Sequence, residues 1–266
     1  MINKKDFIKQ TEKAIEDYSK ENINEQSLLK ALANFDLYQK QYNTFFEYFK
    51  DWFALQNARK YEELNKDAFK FVKFISESEI NQLEKDLYLS SGLQKDDLTN
   101  LRNLANTLLQ VYSITSKLEN FIAKRAKELY PNLTNILGPI LTARFLNQAH
   151  SLKRLSSLPA STLQLFGAET AMFKHLKFGK ASPKYGLLYL HPIMSSLNSK
   201  QKGKLARYMA ERIALAARMD LAKKKLDEKL LKDIEKKKEL IKNEKEKVSK
   251  PKSNVKPNFN KERGRK

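Results

Sequence analysis

The chain contains no cysteine, an absence that removes disulfides, thiolate metal sites and cysteine nucleophiles together. Its only histidines are His150, His175 and His191. None has HExxH spacing or sits beside paired carboxylates, so they offer no metal site. Neither G-x-G-x-x-G nor G-x-x-x-x-G-K-S/T occurs, which leaves a dinucleotide or phosphate-loop site without support. No window approaches the roughly eighteen uninterrupted apolar residues of a membrane span. The opening residues, MINKKDFIKQTEKAIEDYSKEN, lack the apolar run of a signal peptide. The expectation is a soluble, cytoplasmic, non-catalytic chain with no membrane contact, metal or cofactor.

Glycine and proline are scarce, seven of each in 266 residues. Three of each nevertheless fall between Leu158 and Pro192, in LPASTLQLFGAETAMFKHLKFGKASPKYGLLYLHP. Acidic residues are scarce in the same region. Residues 144–220 hold 13 Lys/Arg against only Glu169, Glu211 and Asp220, whereas residues 1–143 hold 20 of each sign. From Leu221 onward there are 18 basic and 8 acidic residues, so the net charge of +20 lies wholly in the second half. A neutral half joined to a basic half is the footprint of a polyanion-binding module on a protein-interaction scaffold. So few carboxylates also leave little for general acid/base work or magnesium.

What is abundant is helical periodicity. Phe35, Tyr38, Tyr42, Phe45, Phe49 and Trp52 alternate steps of three and four, an almost wholly aromatic seam. Leu101, Leu104, Leu108, Val111, Thr115, Leu118 and Ile122 form a second seam. The two predict an antiparallel helical hairpin whose tip contains Tyr61 to Leu93 in shorter helices, with a turn at Ser90-Ser91-Gly92. Two helices alone bury little, so Phe46, Tyr48, Phe53, Phe69, Phe71 and Phe74 call for a partner arm or bundle. Pro131 and Gly138-Pro139 end the arm. Helices are expected over Ile140–Leu155, Ser161–Phe178 and Lys200–Asp220, with SPKYGLLYLHPIM as a short hairpin or extended loop. Ser161 is placed as an N-cap with Gln164 completing a capping box. Gly167 and Ala168 would allow close approach at the start of the next helix, whose free N–H groups favour an anion. Lys174, Lys177, Lys184, Lys204, Arg207, Arg212 and Arg218 are candidates for surrounding phosphates. The competing view is that Pro159 and Gly167 merely shape helix ends and the lysines are solvated.

Three blocks sharpen this reading: LPASTLQLFGAETAMFKHLKF, then SPKYGLLYLHP, then KGKLARYMAERIALAARMD. In order and spacing they closely resemble the signature of the Nop domain, shared by the archaeal box C/D ribonucleoprotein scaffold, its nucleolar relatives and a spliceosomal factor. Asp51-Trp52-Phe53-Ala54-Leu55 resembles the family's tryptophan-containing segment, so the likeness covers about residues 30–220. The resemblance implies an all-α protein: a long antiparallel coiled-coil arm, a compact helical Nop domain, and a basic, partly disordered tail. The expected divisions are a short N-terminal segment (1–30), coiled coil (31–131), Nop domain (132–220), exposed basic helix (221–248) and disordered tail (249–266).

The resemblance further implies a non-catalytic scaffold for guided RNA 2′-O-methylation. Its partners would be a guide RNA with a kink-turn, a ribosomal-protein-like kink-turn binder, and the methyltransferase fibrillarin. The arm, through Phe35, Tyr38, Tyr42, Phe45, Phe49 and Trp52, would form a homodimer or heterodimer. Gly167, Ala168 and Glu169 would set helix geometry, with Lys174, Lys177, Lys184, Lys204 and Arg207 on RNA phosphates. The chain departs from the family at Thr170, where GAEK reads GAET, and at Ser157, where a basic residue is common; Lys153 and Arg154 stand as substitutes. About thirty residues precede the arm, fewer than the family's fibrillarin-docking domain needs. The alternatives are therefore a truncated Nop-domain protein binding kink-turn particles without recruiting methyltransferase, and a generic basic coiled-coil protein.

Overall fold

The computed structural model describes residues 4–54, 67–78, 95–225 and 229–243. Among these the fold is all-α, as expected, and no strand occurs. Helix α1 (Lys4–Ala54) is one continuous helix that crosses position 30 without a break, so the short segment expected to stand apart is part of the arm. Near the end of α1, Phe46, Phe49 and Phe53 share a core with Leu98, Leu101 and Leu108 at the start of α3 (Lys95–Leu129). Earlier in α1, Leu28, Leu32 and Phe35 share another core with Ile122 and Ala126 near the end of α3. The two helices therefore run antiparallel.

The register differs from the expected seam. Burial follows Phe46, Phe49 and Phe53, while Phe45 is 48% exposed and Trp52 only half-buried. On α3, Ala105 is buried in place of Leu104. The reason is the short helix α2 (Ala68–Glu77), capped by Asp67, whose carboxylate accepts from the amides of Phe69 and Lys70. It inserts Phe71 against Phe46, Phe49 and Phe53, at ring-centroid distances of 6.2, 5.4 and 4.8 Å. Positions 45 and 46 lie about 100° apart on a helix. A third helix on one side therefore decides which aromatic column is core. Of the expected tip, residues 67–78 are described and form α2; the rest of it, with the Ser90–Gly92 turn, lies outside the described residues, as does the tail from 249.

Beyond the arm, Pro131 opens α4 (Pro131–Leu137) and Pro139 opens α5 (Pro139–Ala149), each at a first-turn position where proline's missing N–H costs nothing. Helices α6 (Leu152–Ser157), α7 (Ala160–Gln164) and α8 (Glu169–Phe178) follow. The continuous helices expected over 140–155 and 161–178 are each split, at left-handed His150 and at Gly167. SPKYGLLYLHPIM is not a hairpin: after a stretch without regular structure it makes two 3-10 turns, Leu187–Leu190 and Pro192–Met194.

Helix α9 (Ser199–Leu221), started by an Asn198/Gln201 capping box, is the central post. Its alanines 206, 210, 214, 216 and 217 are buried with Leu205, Met209 and Ile213, and α4, α6 and α7 pack against it. Helix α10 (Lys229–Asn243), expected as an exposed basic helix, also docks there. Ile234 and Ile241 are buried, and Gln201 Nε2 donates to the Ile241 carbonyl at 3.1 Å. Ile234 and Ile241, seven residues apart, fall on one face of the helix, and that face is the buried one.

His191 ties the 3-10 turns to α4. Its Nε2 donates to the Ile136 carbonyl (3.0 Å) and its Nδ1 accepts from the Ile193 amide (3.2 Å), an arrangement that requires the neutral ring. Burial lowers its pKa, offset in part by the Ile136 carbonyl and the Glu235 charge. The unfolded chain takes up this proton first on acidification. The contribution of His191 is thus present above its unfolded value, about 6.5, and is lost as pH falls from there through the folded value. Thermal melts should show a stability loss as pH falls below about 6.5 that is reduced in His191→Gln.

Candidate RNA-binding surface

The stretch rich in glycine and proline folds into a hinge, an outlying helix and a pinned loop. Pro159, not Ser161, occupies the cap of α7, and no side chain caps it. Gln164 instead donates to the Lys184 carbonyl at 2.6 Å, joining α7 to the loop. Gly167 has φ +80°, a left-handed conformation natural to glycine, and an added Cβ would meet Leu187 Cγ at 2.9 Å. Its amide donates to Glu169 Oε1 (2.9 Å), which also accepts from Gln148 Nε2 (2.8 Å). The Ala168 amide donates to the Leu165 carbonyl. The amides of Gly167 and Ala168 are thus engaged within the chain, and Glu169 places a carboxylate where the sequence suggested an anion site.

Helix α8 has no buried residue. Phe173, Leu176 and Phe178 are 58%, 72% and 61% exposed. Among them Lys177 holds its ammonium over the rings of Phe173 and Phe178, at 5.5 and 5.4 Å from the centroids. Lys174 lies exposed one turn earlier. A ten-residue helix standing clear of the core, apolar and cationic at once, is built to be covered by something else.

Lys184 and the start of α9 are adjacent: a Cβ on Gly203 would approach the Lys184 side chain at 3.2 Å. Lys204 and Arg207, one turn apart on α9, are exposed nearby in the chain. The structure thus brings Lys184 to the α9 start that carries Lys204, with α8 beginning on the far side of the Gly167 hinge. Lys153 and Arg154 are exposed on α6, where the Arg154 amide donates to the Ser151 cap. Two arginines offered for phosphates make contacts within the chain, Arg212 half-buried and Arg218 still exposed. Arg212 stacks on Tyr208 (3.6 Å to the centroid) and bonds Glu211, and Arg218 Nε donates to the Ser156 carbonyl. Sequence reasoning missed the exposure of α8 and the tertiary ties of the arm. Glu25 accepts from the Tyr130 hydroxyl and the Leu152 amide, and Arg144 bonds Asp36 at 2.7 Å.

Fold and surface define an all-helical module with a basic face. The chain belongs to the Nop family: the family model described as "snoRNA binding domain, fibrillarin" matches residues 34–240. Nucleolar protein 58 of Schizosaccharomyces pombe is 38% identical over 135 residues, 51% of this chain and 27% of the relative. Nucleolar protein 58 of Eremothecium gossypii is 30% identical over 216 residues, 73% of this chain and 41% of the relative. The chain therefore spans less than half the length of these curated relatives. A solved structure described as the "crystal structure of fibrillarin/Nop5p complex" aligns with 90% of this chain and 81% of its own at TM-score 0.45 and 22% identity, a loose likeness. The relatives' nucleolar names overturn the cytoplasmic expectation. That expectation rested on a missing leader and membrane span, which do not separate cytoplasm from nucleus.

Proposed function

We propose that this chain is a non-catalytic scaffold module of a box C/D-type ribonucleoprotein that guides RNA 2′-O-methylation. It would grip a kink-turn RNA already bound by a ribosomal-protein-like partner. The observation that carries the reading is α8: exposed Phe173, Leu176 and Phe178 suit a protein surface, and Lys174 and Lys177 beside them suit phosphates. A composite RNA–protein junction presents both, and helical RNA offers shape, phosphates and 2′-hydroxyls rather than base edges. Lys184, Lys204 and Arg207 extend the cationic face across the hinge set by Gly167, Ala168 and Glu169, with Lys153 and Arg154 as outlying contributors. Fibrillarin is the methyltransferase such a scaffold would position. Exposed Phe45, Tyr48 and Tyr112 support pairing of the arm with a second Nop-family chain.

A mobility-shift titration near physiological salt tests this, comparing kink-turn RNA alone, the same RNA pre-bound by its protein partner, and a straight duplex. Selective binding to the pre-bound particle is expected. Reversing Lys184 and Arg207 to glutamate should weaken that binding at least about tenfold and lower the salt slope by roughly two, with unchanged far-UV circular dichroism. Equal affinity for all three RNAs would overturn the reading in favour of non-specific attraction by basic chain.

A further inference from the structure

The loop between α8 and α9 carries a feature that phosphate binding leaves unexplained. Tyr185 and Tyr189 stack across the first 3-10 turn, with centroids 5.7 Å apart and planes inclined by 13°. Tyr185 is half-buried against the main core, whereas Tyr189 is 54% exposed and Leu190 beside it equally so. The Lys202 ammonium, from the first turn of α9, lies over the Tyr189 ring at 4.7 Å. Two adjacent large side chains exposed on a loop, with a lysine over one ring, make a contiguous contact surface.

The loop is also held rigidly. The Gly186 amide donates to the Gln164 carbonyl and the Leu187 amide to the Phe166 carbonyl, at 3.1 and 2.6 Å. The approach is so close that a Cβ on Gly186 would lie 1.9 Å from the Phe166 oxygen. Leu188, fully buried, anchors the turn between the two tyrosines, and His191 fixes its end. Tyr189 is therefore presented in one place, stacked on Tyr185, with Lys202 over its ring and Lys184 packed beside Gly203 in the same turn of α9 as Lys202.

We propose that Tyr185 and Tyr189 form a stacking platform for an unpaired nucleotide of the bound RNA. The base would lie on Tyr189, and Lys202 would swing from the ring to the flanking phosphate beside Lys184. An aromatic face accepts any base, and a cation beside it takes the backbone, which is how single strands are held without sequence reading. A helical junction alone would use the lysines and leave Tyr189 bare. The platform rests on the scaffold reading and adds to it a single-stranded subsite next to the helical one.

The test uses the full chain and a partner-bound kink-turn particle in two forms, blunt and with a short single-stranded oligouridine extension carrying 2-aminopurine. Wild type should bind the extended particle about tenfold more tightly than the blunt one and quench the 2-aminopurine. Tyr189→Ala should erase both the gain and the quenching while binding the blunt particle unchanged; Tyr189→Trp should restore them. Because Tyr189 is exposed, this substitution leaves the core alone. Normal binding of the blunt particle with no gain from the extension, or a gain that survives Tyr189→Ala, overturns the platform and leaves the scaffold reading standing. Failure to bind even the blunt particle overturns the scaffold reading and the platform with it.

Discussion

Replacing Phe71 with alanine is expected to lower the stability of the far end of the arm by about 3–5 kcal/mol, the range for removing a fully buried aromatic ring. Phe71 has no exposed surface and is the common neighbour of Phe46, Phe49 and Phe53. Its loss removes three aromatic contacts of about 0.5–1.5 kcal/mol each along with the burial that fixes the register of α1. The damage should stay local. The core around Phe71 is separate from the one built on α9, and the stretch of α1 between them, Asp36 to Phe45, contains no fully buried side chain. Hydrogen exchange should therefore quicken in α2 and at the start of α3 while α9 amides stay protected. Global loss of protection would show that the two cores fold as one unit.

The second large effect is expected at Asp220, at the end of α9. Its carboxylate accepts from the amides of Asn132 (3.0 Å) and Leu133 (2.9 Å), capping α4 from a helix some ninety residues on in sequence. The Asn132 side chain completes the clasp by donating to the Lys224 carbonyl at 2.8 Å. Asp220→Ala leaves two buried donors without an acceptor and should lower stability by about 2–4 kcal/mol. Asp220→Asn keeps one acceptor and removes a charge that burial disfavours, so its loss should be smaller. Burial raises the Asp220 pKa, partly offset by the two amides and the Asn132 side chain. The folded chain holds this proton more tightly than the unfolded one. The associated stability is full below the unfolded carboxylate value and fades as pH rises through the folded value. Acid weakening of the protein should thus persist in Asp220→Asn. Denaturant titrations of both variants at neutral and mildly acidic pH check the order and the sign; equal, sub-kilocalorie losses would show that the clasp is dispensable.

The candidate surface was legible where its chemistry is carried by residue type. Lysines without neighbouring carboxylates, and glycine and proline gathered between Leu158 and Pro192, are signals that residue type alone carries. What eluded the sequence were contacts between distant segments. The Gly167 and Ala168 amides looked available but are engaged, because Glu169 folds back onto the first and the Leu165 carbonyl takes the second. Arg212 and Arg218 are indistinguishable from Arg207 by type, yet Arg212 is half-buried against Tyr208 and Glu211, and Arg218, though exposed, gives its Nε to the Ser156 carbonyl. The exposure of Phe173 and Phe178 is not written in their spacing, since a helical pattern does not say whether a partner element belongs to the same chain.

The sequence by itself determined the helical class, the antiparallel pairing of the arm, the basic second half and the breaks at Pro131 and Gly138. Each follows from local rules: hydrophobic period, proline's missing donor and the placement of charge. Only the tertiary structure decided that Phe46 and Phe53 are core while Phe45 is surface, that α10 docks, that Asp220 caps α4, and that α8 stands uncovered. Those outcomes depend on which third element fills a groove and which distant group reaches an amide. Packing is a property of pairs, and no single segment of the chain carries it.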